Sequence, residues 1–171
     1  MNYDQKVVTN QQRKNVKDIL PDEYRGLEQD KLENRIQEIK DRLKNNIVIL
    51  GHHYQRKDII HFSDYIGDSY YLSETAAKKE NVRYIIFCGV DFMAESAYIL
   101  SGRFTTVLHP DTSASCPLAN MADIERVETA WKDITSIIPG KYVIPITYIN
   151  SDAELGFLWE KSRCCLYIIQ C

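Results

Sequence analysis

The stretch Ile47-Val48-Ile49-Leu50-Gly51-His52-His53-Tyr54-Gln55 decides the fold. Its first four residues form a short, continuous, β-branched apolar run, the pattern of a strand buried on both faces of a parallel sheet. Gly51 is read as the end of that strand, with the polar residues after it forming a loop at the sheet edge. Just upstream, Leu32, Ile36, Ile39 and Leu43 recur at helical spacing with charges between them, which predicts an amphipathic helix from Gln29 to Lys44. Residues 1 to 30 before it are polar and lack a clear period.

Downstream, similar apolar runs recur at Tyr84-Ile85-Ile86-Phe87, Thr105-Thr106-Val107-Leu108 and Tyr142-Val143-Ile144. The segments between them carry helical periodicity: Phe92, Met93, Ser96, Ala97 and Leu100 share one face, and Ile124, Val127, Trp131 and Ile134 another. Leu72 to Lys79 is helix-prone as well. Strands alternating with helices predict an α/β fold, a three-layer αβα domain with a short parallel sheet. The expected organisation is a polar segment and helix over 1–44, a first α/β domain over 45–139, and the start of a second α/β domain with an atypical tail over 140–171.

In such sheets ligands bind beyond the carboxyl ends of the strands, so the loops after each strand carry the functional reading. Those loops are His52-His53-Tyr54-Gln55, Gly89-Val90-Asp91, the segment His109 to Cys116, and Tyr148-Ile149-Asn150, with the turn Gly67-Asp68-Ser69 ahead of the helix at Leu72. An imidazole and a phenol at a strand end suit anion binding or proton transfer, although a capping or half-buried histidine is the commoner role for such a residue. Gly67-Asp68-Ser69 places a hydroxyl and backbone donors before a helix N-terminus, where a carboxylate or phosphate binds well; a plain helix cap is the blander alternative. Pro117 fits a first helical turn and puts Cys116 at the N-cap, where a helix dipole favours the thiolate that binds iron or attacks an electrophile. Cys88, inside its strand, reads as a packed small hydrophobe.

With 44% hydrophobic and 26% charged residues in 171, the chain is of ordinary globular composition. The net charge of -3, with Lys and Arg dispersed, argues against nucleic acid. No apolar run approaches the roughly 18 residues of a membrane span and no signal-peptide core opens the chain, so a cytoplasmic location is expected. Five cysteines, an odd number without an export signal, argue against a disulfide framework.

Several of these loops together resemble the N-terminal domain of the quinolinate synthase family. Ile49-Leu50-Gly51-His52-His53-Tyr54-Gln55 is similar to the family's strand and His-x-Tyr-Gln loop, and Ile66-Gly67-Asp68-Ser69 to its Gly-Asp-Ser turn. Gly89-Val90-Asp91-Phe92-Met93-Ala94-Glu95-Ser96-Ala97 resembles a helix signature, Cys116-Pro117-Leu118-Ala119 the cluster-cysteine loop, and Thr147-Tyr148-Ile149-Asn150 the strand opening the next domain. The resemblance spans roughly Asp18 to Glu154. It implies three α/β domains in pseudo-threefold arrangement, each giving one cysteine to a shared 4Fe-4S cluster whose open iron is a Lewis acid. The implied reaction is a transferase-type dehydrating condensation of iminoaspartate with dihydroxyacetone phosphate to quinolinate, in de novo NAD biosynthesis. Carried over by position, Cys116 is the first cluster ligand and His52 and Ser69 bind substrate carboxylates or phosphate. Tyr54 and Tyr148 are the proton-transfer candidates, and Tyr148 and Asn150 also contact substrate.

The similarity fades near Gly156, ahead of a cysteine-rich end holding Cys164, Cys165 and Cys171, none of which is assigned to the cluster. A frameshift or premature stop in a longer gene is the expectation, testable by reading the downstream DNA in all frames. One thiolate cannot hold a cluster that needs three in this family, so the chain alone is expected to be inactive. The expected second-domain strand, Tyr142 to Ile146 with Pro145 inside it, is read as unpaired. Two other classes stand beside the enzyme reading: a catalytically silent remnant or anion-binding module using His52 and Ser69, and a cysteine hydrolase pairing Cys116 with His52. A ferredoxin-type carrier is disfavoured, since closely spaced cysteines of the C-x2-C kind are absent.

Overall fold

The computed structural model describes residues 20–79, 81–139 and 142–156, and the backbone of a strand at 167–169. The expectations for residues 1–19 and for Cys164, Cys165 and Cys171 fall outside the described residues.

The predicted amphipathic helix forms as α1 (Gln29–Leu43). Its apolar stripe is half-buried, and Lys40 ties it down, donating to the Phe62 carbonyl at 2.6 Å and pairing with Asp64 at 2.8 Å. A 3-10 turn then feeds β1 (Ile47–His52), which is buried along its whole length. The strand therefore runs through Gly51 rather than ending there. Gly51 stays in the ladder because a side chain at that position would overlap Ser63 Oγ and Cβ, so only hydrogen fits between the strand and the chain crossing it. Gly51 pairs in register with Ile66 on one side and Cys88 on the other.

After a short helix α2 (Lys57–Ile60) comes β2 (Tyr65–Gly67), a strand that sequence periodicity did not predict. Three residues are too few to show a period, and its pattern is partly exposed. Asp64 prepares its entry: its N–H donates to the Ile49 carbonyl, and its carboxylate accepts the Ile49 N–H, each at 2.8 Å. Helix α3 (Ser69–Ala77) begins earlier than the sequence suggested, because Asp68 is its N-cap and accepts the Tyr71 N–H at 2.8 Å. β3 (Tyr84–Cys88), α4 (Asp91–Leu100) and β4 (Thr106–Leu108) follow as predicted within a residue or two.

The four strands are all parallel in the order β2-β1-β3-β4, with helices flanking the sheet in a three-layer αβα arrangement. The core gathers Leu50 and Val48 from β1, Ile85 and Phe87 from β3, Leu72 and Ala76 from α3, and Phe92, Met93 and Ala97 from α4. Each fully buried Leu, Ile or Phe contributes roughly 1.5–3 kcal/mol through removal from water. This layer fixes where the end of β1 stands.

Past α5 (Ile124–Ile137) lies a second, two-stranded sheet, in which β5 (Ile146–Tyr148) pairs in parallel with β6 (Tyr167–Ile169). Two expectations are corrected here. Tyr142 to Ile144 is not a strand, and the strand of this region is not unpaired. Pro145 has no N–H for a ladder, and pairing starts at the residue after it. Residues 153–156 form a helical turn.

Candidate active site

The strand order reverses direction between β1 and β3, and at such a switch point the loops leaving neighbouring strands part and open a crevice at the carboxyl edge. A cavity of about 430 Å³ lies there. It draws His52, His53 and Tyr54 from the end of β1, Asp68 and Ser69 from the turn after β2, and Val90 and Met93 from the turn after β3. Ser115, Cys116 and Pro117 enter from the loop after β4, and Tyr148, Ile149 and Asn150 from the end of β5. All six residues singled out from sequence, His52, Tyr54, Ser69, Cys116, Tyr148 and Asn150, thus line one cavity although they come from four separate segments at or beyond strand ends.

His52 is held by the buried strand, with 6% of its surface exposed. Burial, and then the neighbouring His53, push its pKa down to about 4, against a smaller pull upward from Asp68. By area the residue is almost enclosed, but the open cavity beside it keeps the ring short of complete desolvation. At neutral pH the imidazole is therefore uncharged. Its Nδ1 lies 3.5 Å from the Tyr54 N–H, a long contact that favours the tautomer with the proton on Nε2. His53 has the opposite preference: Nδ1 sits 3.2 Å from the Gly67 carbonyl, which can only accept, so Nδ1 carries the proton. The two rings stack with centroids 4.3 Å apart, and Tyr54 lies 3.9 Å from His52 on a tilted plane. Burial, then Cys116 and Asp91, raise the Tyr54 pKa, so its phenol keeps its proton at neutral pH and remains a donor.

Ser69 is buried at the first turn of α3, where helix geometry leaves the leading N–H groups without intrahelical carbonyls. An anion in the cavity would meet these donors and the positive end of the helix.

The loop carrying Cys116 has little regular structure and is shaped by local hydrogen bonds. His109 Nε2 donates to the Gly89 carbonyl at 3.2 Å, and the Asp91 N–H donates to the Ala114 carbonyl at 3.0 Å. Asp111 accepts both the hydroxyl and the N–H of Ser113, which hold its carboxyl below the usual range. The expected N-cap role of Cys116 is corrected: residues 117 and 118 form a turn, and a 3-10 helix of three residues, Ala119–Met121, follows. Pro117 does permit a turn, but nothing continues it into an α-helix whose dipole could act on the thiol. Cys116 is nonetheless half-buried against the core and faces the cavity. Cys88, at the end of β3, has its thiol pKa raised by burial, in keeping with a packing role.

Ser115, Met93, Val90 and His53 also line the cavity and were not selected from sequence. Met93 was legible as a core position of α4, but its lining role depends on that helix starting directly after a central strand. A side chain at Gly89 would press within about 3 Å of Phe87 and Met93, so that glycine keeps the turn close to the cavity floor. Among the described residues, no three His, Cys, Asp or Glu side chains gather as a metal site. The described donors toward a cluster amount to the single thiol of Cys116, so these residues do not by themselves fit a 4Fe-4S group. No helix among them is long and apolar enough to cross a membrane.

An open parallel sheet with a cavity at its switch point is the architecture of the α/β class, whose ligands bind at the carboxyl ends of the strands. Comparison with known proteins narrows the class to a family. The family described as quinolinate synthetase A protein matches residues 34–165. The quinolinate synthase of Rhodopirellula baltica is 48% identical over 142 residues, covering 77% of this chain and 36% of that protein. That of Corynebacterium glutamicum is 45% identical over 143 residues, covering 83% and 36%, and that of Bacillus cereus 42% identical over 140 residues, covering 82% and 38%. The chain belongs to the quinolinate synthase family. The matched region spans little more than a third of the length of these relatives.

Proposed function

We propose that the cavity is one wall of a quinolinate synthase active site, which condenses iminoaspartate with dihydroxyacetone phosphate to quinolinate for NAD biosynthesis. The observation that supports this most is the meeting of His52, Tyr54, Ser69, Cys116, Tyr148 and Asn150 around one volume. Neutral His52 donates a hydrogen bond to a substrate carboxylate or phosphate oxygen without bringing a charge of its own. Ser69 and the first turn of α3 bind the same kind of anion. The phenols of Tyr54 and Tyr148 are the proton carriers, and Asn150 orients the substrate by hydrogen bonding.

A 4Fe-4S cluster, when bound, supplies Lewis acidity, and Cys116 would be one of its ligands. The described residues offer one such thiolate, and the reading proposed for them by themselves is an anion site without catalysis. Calorimetric titration with malate, a stable dicarboxylate probe, tests the site. Binding that His52→Ala abolishes supports the proposal, and no binding to the folded chain would refute it. Anaerobic reconstitution with iron and sulfide tests the second part. A 4Fe-4S spectrum accompanied by quinolinate formation would overturn the expected inactivity.

A further inference from the structure

Tyr148 and Asn150 reach the cavity from a different sheet than His52, Ser69 and Cys116, so the cavity has its shape only while residues 146–156 stay in register with the four-stranded sheet. Within that segment the geometry is fixed locally. Ser151 donates its hydroxyl to the Tyr148 carbonyl at 2.8 Å and its N–H to the Ile149 carbonyl at 2.9 Å, and the helical turn at 153–156 follows directly. Whatever holds Ala153 therefore also holds Tyr148 and Asn150.

Ala153 is held by α4: Glu95 Oε2 accepts the Ala153 N–H at 3.0 Å. The seam beside this bond is not tightly packed. A cleft of about 400 Å³, lined by Ser96 and Leu100 of α4 and by Tyr148, Asp152 and Ala153, runs along it. With that much open volume, side-chain interlocking is a weak constraint on register and a directional, charge-assisted hydrogen bond a strong one. The residue as a whole is exposed, but protein crowds the carboxylate itself. That burial raises its pKa, the Ala153 N–H opposes the rise, and Asp152, Glu154 and Asp91 add to it. A carboxylate kept beside three other acids despite this cost is difficult to explain by surface solubility.

We propose that Glu95 is a positioning residue that sets the Tyr148–Asn150 wall against the sheet bearing His52, Ser69 and Cys116. Its effect on ligand rests on the active-site reading above; its effect on register does not. Glu95→Gln keeps an acceptor oxygen, whereas Glu95→Leu removes it. Ala153→Pro removes the donor from the other side, at a first helical position where proline is tolerated.

The test is hydrogen exchange on the full chain, comparing amides of residues 146–156 with those of β1 and β3, together with malate titration. In Glu95→Leu and Ala153→Pro, the segment is expected to exchange on the order of tenfold faster, with β1 and β3 unchanged. Malate affinity should fall several-fold in both, and Glu95→Gln should restore most of each effect. Unchanged exchange in the Leu and Pro variants, or a Gln variant as fast as Leu, would overturn the proposal. Should Glu95→Leu fail to fold, Ala153→Pro decides alone. If the wild-type chain binds no malate, the active-site reading fails while the exchange comparison still judges Glu95.

Discussion

Helices α4 and α5 carry the same kind of sequence signal but meet different fates. Along α4, Phe92, Met93, Ala94 and Ala97 are buried, and the first turn delivers Met93 to the cavity. Along α5, which has the cleaner apolar stripe, no residue is buried, and Ile134 and Ile137 remain 42% and 83% exposed. Periodicity reports which face of a helix is apolar; it carries no information on what covers that face. Position in the chain supplied the difference, because α4 links two adjacent strands and must lie on the sheet between them.

The largest expected effect would break this contrast if it failed. Phe92→Ala should lower unfolding free energy by about 3–5 kcal/mol, whereas Ile134→Ala should stay within about 0.5 kcal/mol. Urea denaturation measures both, and equal losses would mean that exposure does not separate the helices. Next comes β1, the strand that α3 packs against. Gly51→Ala should cost about 1–3 kcal/mol through overlap with Ser63, and adding Ser63→Gly should recover part of it. No recovery would place the strain elsewhere.

The N-caps sharpen the comparison at smaller scale. Asp68 caps α3 and Asp123 caps α5, each by accepting an N–H three residues on. Substituting either with Ala should cost about 1 kcal/mol. Only Asp68→Ala should also weaken malate binding, since Asp68 lines the cavity; equal affinities in the two variants would detach the α3 N-terminus from the site.

The smallest effect concerns His52, whose charge the open cavity lets water partly relieve. Its folded-state pKa lies below the unfolded value of 6.5, at about 4. Between those values the unfolded chain binds a proton that the folded chain refuses, so stability is retained above pH 6.5 and lost as pH falls toward 4. Thermal melting of wild type against His52→Gln isolates this slope from that of the carboxylates. Parallel slopes would show that His52 titrates normally.

What the sequence made legible follows from the same physics. β1, β3, α1, α4 and α5 were readable because continuous apolar runs in the strands and sustained periods in the helices leave little ambiguity. β2 was not, being three residues that border a Gly-Asp-Ser turn, and Gly51 misled because an interior glycine resembles a strand end. The cavity-lining residues His52, Tyr54 and Cys116 were legible because their loops follow strands readable in the sequence, whereas Ser69 was reached only through its Gly-Asp-Ser turn. The setting of Cys116 was not, since Pro117 is compatible with either a helix start or an isolated turn. The link between Glu95 and Ala153 joins residues far apart in sequence and has no local signature.

The strand order has a further consequence, for synthesis. β1 is made first yet lies inside the sheet, and Ile47 cannot pair until Tyr84 has emerged from the ribosome. For that interval the nascent chain exposes a buried apolar strand with its β3-facing edge bare, a segment that a chaperone or a neighbouring chain would find adhesive. Parallel pairing thus sets a waiting time on this polypeptide, during which α1, complete before β1, is the nearest cover available.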